Sequence, residues 1–291
     1  SSVANAERIS RVVDILLERP ERQVVVISAM QGVTDALISL VHQAAAARDP
    51  GWREALRELE QRHLKVAQEL LGAKAEPILE KLKGEFASLG ELLRAQSLIG
   101  AVSGDLLNLV SGLGEVWSST LVDAVFRARG AVSRWLDARE VLVVEKGELG
   151  AMVQWEASRQ KLGEQLGEPG ERTIVTGFVA RTTDGHITTL GRNGSDYSGA
   201  IFAALFGAQE LHLWSDVDGV LSADPRLVPE AVLIPRLSYA EACALADFGA
   251  KVCIVEAQDR VLPEMDGEIS KNLGELLKQD KNLTVVTGAQ V

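Results

Sequence analysis

Val24-Val25-Val26-Ile27-Ser28-Ala29-Met30-Gln31-Gly32-Val33-Thr34-Asp35 is the stretch that decides the fold class. Residues 24–27 form a short β-branched run bracketed by polar residues, the pattern of a strand buried on both faces. A polar loop follows and opens into another helical stretch. Upstream, residues 2–17 place Val3, Ala6, Ile9, Val12, Val13 and Leu16 on one side of a helix, which Pro20 stops. Helix, strand, polar loop, helix is the order of a parallel α/β sheet.

Outward from this core, residues 35–110 read as a helix-rich insertion. Leu56, Leu59, His63, Val66 and Leu70 recur at helical spacing, as do Ile78, Leu79, Leu82, Phe86, Leu89 and Leu93. Breaks fall at Asp49-Pro50-Gly51, Leu71-Gly72 and Glu76-Pro77. A run of helical hairpins is expected, serving as a lid or a packing surface. The α/β pattern then resumes. A helix is predicted from about 110 to 129, short strands at 133–136 and 142–144, and a helix at 154–165. A strand at 172–178 delivers Gly177-Phe178 into a loop, and Thr182-Thr183-Asp184-Gly185-His186 is a hairpin turn before a strand at 187–190. Strands at 210–214 and 283–286 and helices at 240–248 and 271–278 complete the reading.

The chain has 291 residues, 46% hydrophobic and 24% charged, which fits one large α/β domain or two small ones. Its net charge is −11, from 41 acids against 30 bases, so the basic footprint of a nucleic-acid binder is missing. Cys243 and Cys253 make no disulfide framework. Together with the scattered His42, His63, His186 and His212 they make no zinc-ligand spacing either. No apolar run is long enough to span a membrane, and the first residues lack a basic-then-apolar leader. A cytoplasmic protein without nucleic-acid or membrane partners is expected.

Phosphate chemistry is suggested by Leu190-Gly191-Arg192-Asn193-Gly194-Ser195-Asp196-Tyr197-Ser198, which runs straight into a helical stretch. A glycine-bearing turn that opens a helix collects unpaired N–H groups, which hold phosphate or carboxylate oxygens. A second polar set is Trp214-Ser215-Asp216-Val217-Asp218-Gly219-Val220, followed by Ser222-Ala223-Asp224-Pro225-Arg226. Asp216 follows an apolar strand, where carboxylates meet ligand or magnesium at the carboxyl edge of a parallel sheet. Asp218-Gly219 also suits an ordinary turn. Arg226 suits either a turn cap or a phosphate contact. Lys251 follows a helix-ending glycine, and Glu115 sits in a first helical turn where the dipole favours an acid. No P-loop, GxGxxG or protein-kinase motif occurs.

Taken in order, these motifs resemble the catalytic domain of aspartate kinase, in the amino acid kinase superfamily. The likeness runs from residue 1 to about 252. It is carried by Ser1-Ser2-Val3-Ala4-Asn5, residues 26–34, Gly114-Glu115, Thr176-Gly177-Phe178, residues 190–198, residues 215–220, Ala223-Asp224-Pro225-Arg226 and Phe248-Gly249-Ala250-Lys251-Val252. The Arg-Asn-Gly-Ser-Asp form resembles bifunctional members, fused to homoserine dehydrogenase or diaminopimelate decarboxylase.

The resemblance implies a three-layer α/β/α sandwich with a largely parallel central sheet, plus the helical insertion. It implies transfer of the ATP γ-phosphoryl group to the β-carboxylate of L-aspartate, with Mg2+. Arg192 would clamp the substrate α-carboxylate and Glu115 would face its α-amino group. Ser28, Thr34, Phe178, Ser195 and Asp196 would line the aspartate pocket. Ser2, Ser215, Asp216, Asp218, Arg226 and Lys251 would serve the nucleotide, and Arg192, Asp196 and Lys251 would carry catalysis. No residue is assigned as a direct metal ligand. A homodimer through residues 35–110 is compatible with this reading, as is fusion to a second enzyme or regulatory domain.

The sequence departs from the family in three places. Of the opening Lys-Phe-Gly-Gly-Thr/Ser-Ser strand, only Ser1-Ser2 is represented, so the catalytic domain is expected at 1–252 without that strand. After Val252 the family's His-Pro pair is replaced by Cys253-Ile254-Val255-Glu256-Ala257, leaving 253–291 unassigned. Leu221 stands where a tyrosine is common. The competing readings are a glutamate, acetylglutamate or carbamate kinase, and a truncated ligand-binding fragment without turnover.

Overall fold

The computed structural model describes residues 2–19, 23–46, 51–147, 150–166, 172–191, 194–214, 222, 228–234, 252–255 and 283–286. The helices expected at 240–248 and 271–278 lie outside the described residues. The chain divides into two compact units, Ser1–Ser198 and Gly199–Val291.

The first helix, α1 (Ala6–Leu17), starts later than the apolar pattern suggested. Asn5 is extended and its side-chain oxygen accepts the Arg8 N–H at 2.9 Å, so it caps the helix and leaves residues 2–5 outside it. Ile9 and Val13 are fully buried on the inner face. Strand β1 (Gln23–Ile27) follows as predicted.

The described residues of 33–111 form four α-helices: α2 (Val33–Ala45), α3 (Gly51–Leu71), α4 (Glu76–Ile99) and α5 (Gly104–Ser111). A short 3-10 turn, Gly72–Lys74, joins α3 to α4. The helix expected from 110 to 129 is instead split. It begins at Leu113 as α6 (Leu113–Ala128), and Gly112 separates it from α5. A Cβ at Gly112 would lie 2.3 Å from Val179 Cγ1, so only glycine fits there.

Three parallel strands form the first sheet in the order β1, β5 (Arg172–Thr176), β2 (Arg134–Leu136). Gln23 pairs with Arg172 and Ile27 with Thr176, while Leu136 pairs with Val175. All five residues of the central β5 are buried, as a β-branched run in a two-sided sheet requires. The second sheet runs β4 (Gly150–Val153), β3 (Val143–Gly147), β6 (Val179–Thr182), β7 (Ile187–Thr189). This sheet is mixed: β3–β4 and β6–β7 are antiparallel hairpins, the latter at the turn expected over 182–186, and β3–β6 is parallel. Short connections allow hairpins but not parallel crossovers. Helices α7 (Ala138–Val141) and α8 (Trp155–Gln165) pack on this sheet, and α9 (Gly194–Phe206) follows β7.

In the second unit the strand expected at 210–214 joins no sheet among the described residues. Leu213 and Trp214 are 50% and 42% exposed. Strands β8 (Val252–Val255) and β9 (Leu283–Val286) pair in parallel with each other.

The helical core of the first unit holds a buried histidine. Phe86 stacks on Trp117 at 4.2 Å, and His63 meets the Trp117 edge at 5.0 Å. His63 Nδ1 donates to the Leu59 carbonyl at 2.7 Å, whereas Nε2 has no protein partner. Burial lowers its pKa to about 4, against the pull of the Leu59 bond and helped by Arg62. Unfolded histidine titrates near 6.5, so between 6.5 and 4 the unfolded chain binds a proton that the folded one refuses. Stability is therefore expected to fall as the pH drops through that window. His63→Leu should flatten this decline in thermal-denaturation midpoints. An equal decline in the variant would assign the acid sensitivity elsewhere.

Candidate active site

The site forms where β1 and β5 end side by side. The Gly177 N–H donates to the Ile27 carbonyl at 2.9 Å, continuing the β1–β5 contact by one residue. A Cβ at 177 would sit 2.9 Å from that same oxygen, so the approach requires glycine. Beyond this point the two chains diverge and open the carboxyl edge of the sheet, where open α/β folds bind their ligands.

On the β1 side, residues 28–32 turn into α2. Gly32 has φ 75° and the Val33 N–H donates to the Met30 carbonyl at 3.0 Å. Helix α6 docks on this turn by its first residues. A Cβ at Gly114 would meet Ala29 Cβ at 2.8 Å and Val33 Cγ1 at 2.9 Å. Ser118 Oγ donates to the Ser28 carbonyl at 2.6 Å. Glu115 is carried into the interior by this docking and retains 3% of its exposure. Burial pushes its carboxyl up to about 8, against the N–H groups of Ala29 and of Glu115 itself. Its Oε2 has no protein partner.

On the β5 side, Phe178 has φ 67°, the only positive φ outside glycine among the described residues. The Val179 N–H donates to the Gly177 carbonyl at 2.7 Å, closing a three-residue turn around it. This form of γ-turn is rare, and holding a bulky residue there costs on the order of 1–3 kcal/mol. The Leu190 N–H donates to the Phe178 carbonyl at 2.8 Å, and the Phe178 N–H donates to Ser198 Oγ at 2.8 Å. The ring covers Gly194, where a Cβ would lie 2.6 Å from Phe178 Cδ2.

A cavity of about 210 Å³ lies between the two sides, lined by Thr34, Glu115, Phe178, Gly191, Gly194, Ser195 and Asp196. Ser195 and Asp196 come from the first turn of α9, with Asp196 at the rim, where partial burial raises its pKa. Two carboxyl groups thus share a small cavity, and the chemistry of that donor set favours a cationic ligand group. Thr34, Glu115, Phe178, Ser195 and Asp196 were all singled out in the sequence, and the structure brings them together here. Ser28 is half-buried just behind, its carbonyl engaged by Ser118. Ser2 lies in the turn before α1 and is not among the cavity's lining residues. Arg192, Ser215, Asp216, Asp218, Arg226 and Lys251 lie outside the described residues. Among the described residues no cluster of three His, Cys, Asp or Glu side chains is suited to a metal ion. Magnesium commonly relies on one or two carboxylates, waters and substrate phosphates, so a protein cage is not required.

Sequence reasoning did not single out Ala29, Ser118 or Ser198 as individual site residues. Ala29 and Ser118 act through contacts between distant segments, which no local spacing reveals. Ser198 closed the quoted motif, but its partner Phe178 lies in another loop.

The Glu115 carboxyl titrates near 8 when folded and 4.5 when unfolded, so the unfolded chain loses its proton first. Stability therefore declines as the pH rises from 4.5 through 8. Glu115→Gln should remove that decline, gaining more in melting temperature at alkaline than at mildly acidic pH. Parallel curves for the two proteins would rule out a buried protonated carboxyl.

Comparison with known proteins agrees with this geometry. The Amino acid kinase family model matches residues 1–262. The Zea mays protein "Bifunctional aspartokinase/homoserine dehydrogenase 1, chloroplastic" is 39% identical over 254 residues, covering 86% of this chain and 28% of the relative. "Lysine-sensitive aspartokinase 3" of Escherichia coli is 31% identical over 261 residues, covering 87% of this chain and 55% of the relative. The crystal structure of E. coli aspartokinase III in complex with aspartate and ADP superposes with a TM-score of 0.75 at 30% identity. It covers 84% of this chain and 54% of the structure. The chain thus spans between about a quarter and just over half the length of these curated relatives. A second model, pyridine nucleotide-disulphide oxidoreductase, matches residues 238–291 and overlaps the first over 238–262. Over residues 1–262 the chain belongs to the amino acid kinase family, with an aspartokinase-like catalytic domain.

Proposed function

We propose that the chain is the kinase part of an aspartate kinase, transferring the ATP γ-phosphoryl group to the β-carboxylate of L-aspartate. The product is 4-phospho-L-aspartate, at the head of lysine, threonine and methionine biosynthesis. The observation that carries this reading is Glu115, a buried carboxyl on the cavity with one oxygen lacking a protein partner. An α-ammonium group supplies the donor this oxygen lacks and favours the ionised carboxylate. Neighbouring carboxyl and hydroxyl groups then fit a small amino acid. The relatives' names and the superposition on an aspartate complex support the same assignment.

In this reading Thr34, Ser195 and Asp196 orient the substrate, and Phe178 closes one wall against water. Ser28 shapes the pocket from behind. Arg192 clamps the α-carboxylate through a paired hydrogen bond. The β-carboxylate is already a nucleophile, so no general base is needed and catalysis rests on alignment and charge neutralisation. Ser2, Ser215, Asp216, Asp218, Arg226 and Lys251 are assigned to the ATP side, Lys251 beside the transferring group. Bound magnesium would neutralise phosphate charge. The catalytic domain is placed at 1–252, with 253–291 outside it. A cytoplasmic or organellar setting, a homodimer and fusion to a dehydrogenase remain part of the proposal. The fusion and the organellar setting rest on the relatives' names; among the described residues no helix is long and apolar enough to cross a membrane.

An acceptor comparison tests the assignment. Aspartate-dependent ADP formation is expected, with N-acetylglutamate inactive because a blocked amino group leaves Glu115 without a partner. The reverse preference would move the chain to another amino acid kinase activity. Arg192→Ala should raise the aspartate KM by roughly 10–100-fold, the worth of a charge-assisted pair. Unchanged kinetics would remove Arg192 from the site.

A further inference from the structure

Within the turn closed by the Val179 N–H and the Gly177 carbonyl, Phe178 is tied on both backbone groups to the segment that carries Ser195 and Asp196. Its carbonyl accepts from Leu190, its N–H donates to Ser198, and its ring rests on Gly194. Of these ties, the Ser198 bond alone depends on a particular side chain. Ser198 is fully buried, four residues beyond Gly194 on α9, and its hydroxyl also donates to the Gly194 carbonyl at 2.7 Å. One hydroxyl therefore joins the strained corner of the cavity wall to the helical turn that presents the polar residues. Ser198 does not line the cavity.

We infer that Ser198 is a positioning residue: its hydroxyl fixes the Phe178 backbone and thereby sets the width of the acceptor pocket between Phe178 and the first turn of α9. This rests on the acceptor reading above for its substrate, but not for its geometry. Three features favour a dedicated strut. A phenylalanine at positive φ relaxes unless both of its backbone polar groups are held. Water has no access to a fully buried hydroxyl, so nothing replaces it when it is removed. The i−4 back-bond to Gly194 fixes the rotamer, so the hydroxyl keeps its lone pair toward the Phe178 N–H.

The experiment compares wild type, Ser198→Ala, Ser198→Thr and Phe178→Gly, alone and with Ser198→Ala. Ser198→Ala should raise the aspartate KM roughly tenfold, the scale of one buried hydrogen bond, with the ATP KM unchanged. Exchange of the Phe178 amide hydrogen should quicken in the free protein while the β5 amides stay protected. Ser198→Thr should restore both. With glycine at 178 the left-handed conformation carries no strain, so adding Ser198→Ala should have little further effect. Faster Phe178 exchange with an unchanged aspartate KM would overturn the positioning role. So would a KM rise that persists fully in the glycine background. If the wild type prefers another acceptor, the aspartate reading falls, and the same comparison on that acceptor decides the role of Ser198.

Discussion

The site depends on one close approach, the Gly177 N–H against the Ile27 carbonyl with no room for a side chain between them. The β1–β5 register ends there, and both chains must leave the sheet from the same point. One leaves through Ser28 toward α2, and the other through Phe178 toward the second sheet. A larger residue at 177 would push the strands apart before they diverge and spread the cavity walls. Helix α6 then fills the β1 side, with Gly114 as the second position where backbone and neighbouring side chains leave no space. The left-handed Phe178 follows from the first constraint. The chain must reverse within one residue of Gly177 to start β6, and the three-residue turn achieves it.

Electrostatics explain why such a site is built at a cost. Glu115 is carried into a place where ionisation is unfavourable, although a helix N-terminus and two backbone N–H groups oppose that cost. Asp196 shares the cavity and is raised in the same direction. An acidic pair of this kind gains most when a cation enters, because the ligand removes the penalty that folding incurred. His63 works in the opposite pH direction, buried neutral in the helical core. Folding is thus constrained from the acid side by the core and from the alkaline side by the site.

The two family models overlap on residues 238–262, which include Gly249-Ala250-Lys251-Val252 and the strand β8. Strand β8, inside that overlap, pairs in parallel with β9. The match to the amino acid kinase model runs to residue 262, past the limit near Val252 that the motifs alone suggested.

Periodicity and turn chemistry alone determined the α/β class, the helices between residues 33 and 111, β1, β5 and the 182–186 hairpin turn. They could not determine the split of the sheet. Parallel or antiparallel pairing is a relation between strands, and a run such as 142–144 looks the same in either. The strand expected at 210–214 shows the same limit, since this run belongs to no sheet among the described residues. Thr34, Glu115, Phe178, Ser195 and Asp196 were legible through motif resemblance, because they sit in compact local patterns. Only the tertiary structure decided that they surround one cavity, that Glu115 lies buried with an oxygen unpartnered, and that Ser198 holds Phe178. Burial, pKa and strain arise from distant segments brought within a few ångströms, and a linear pattern does not carry those distances.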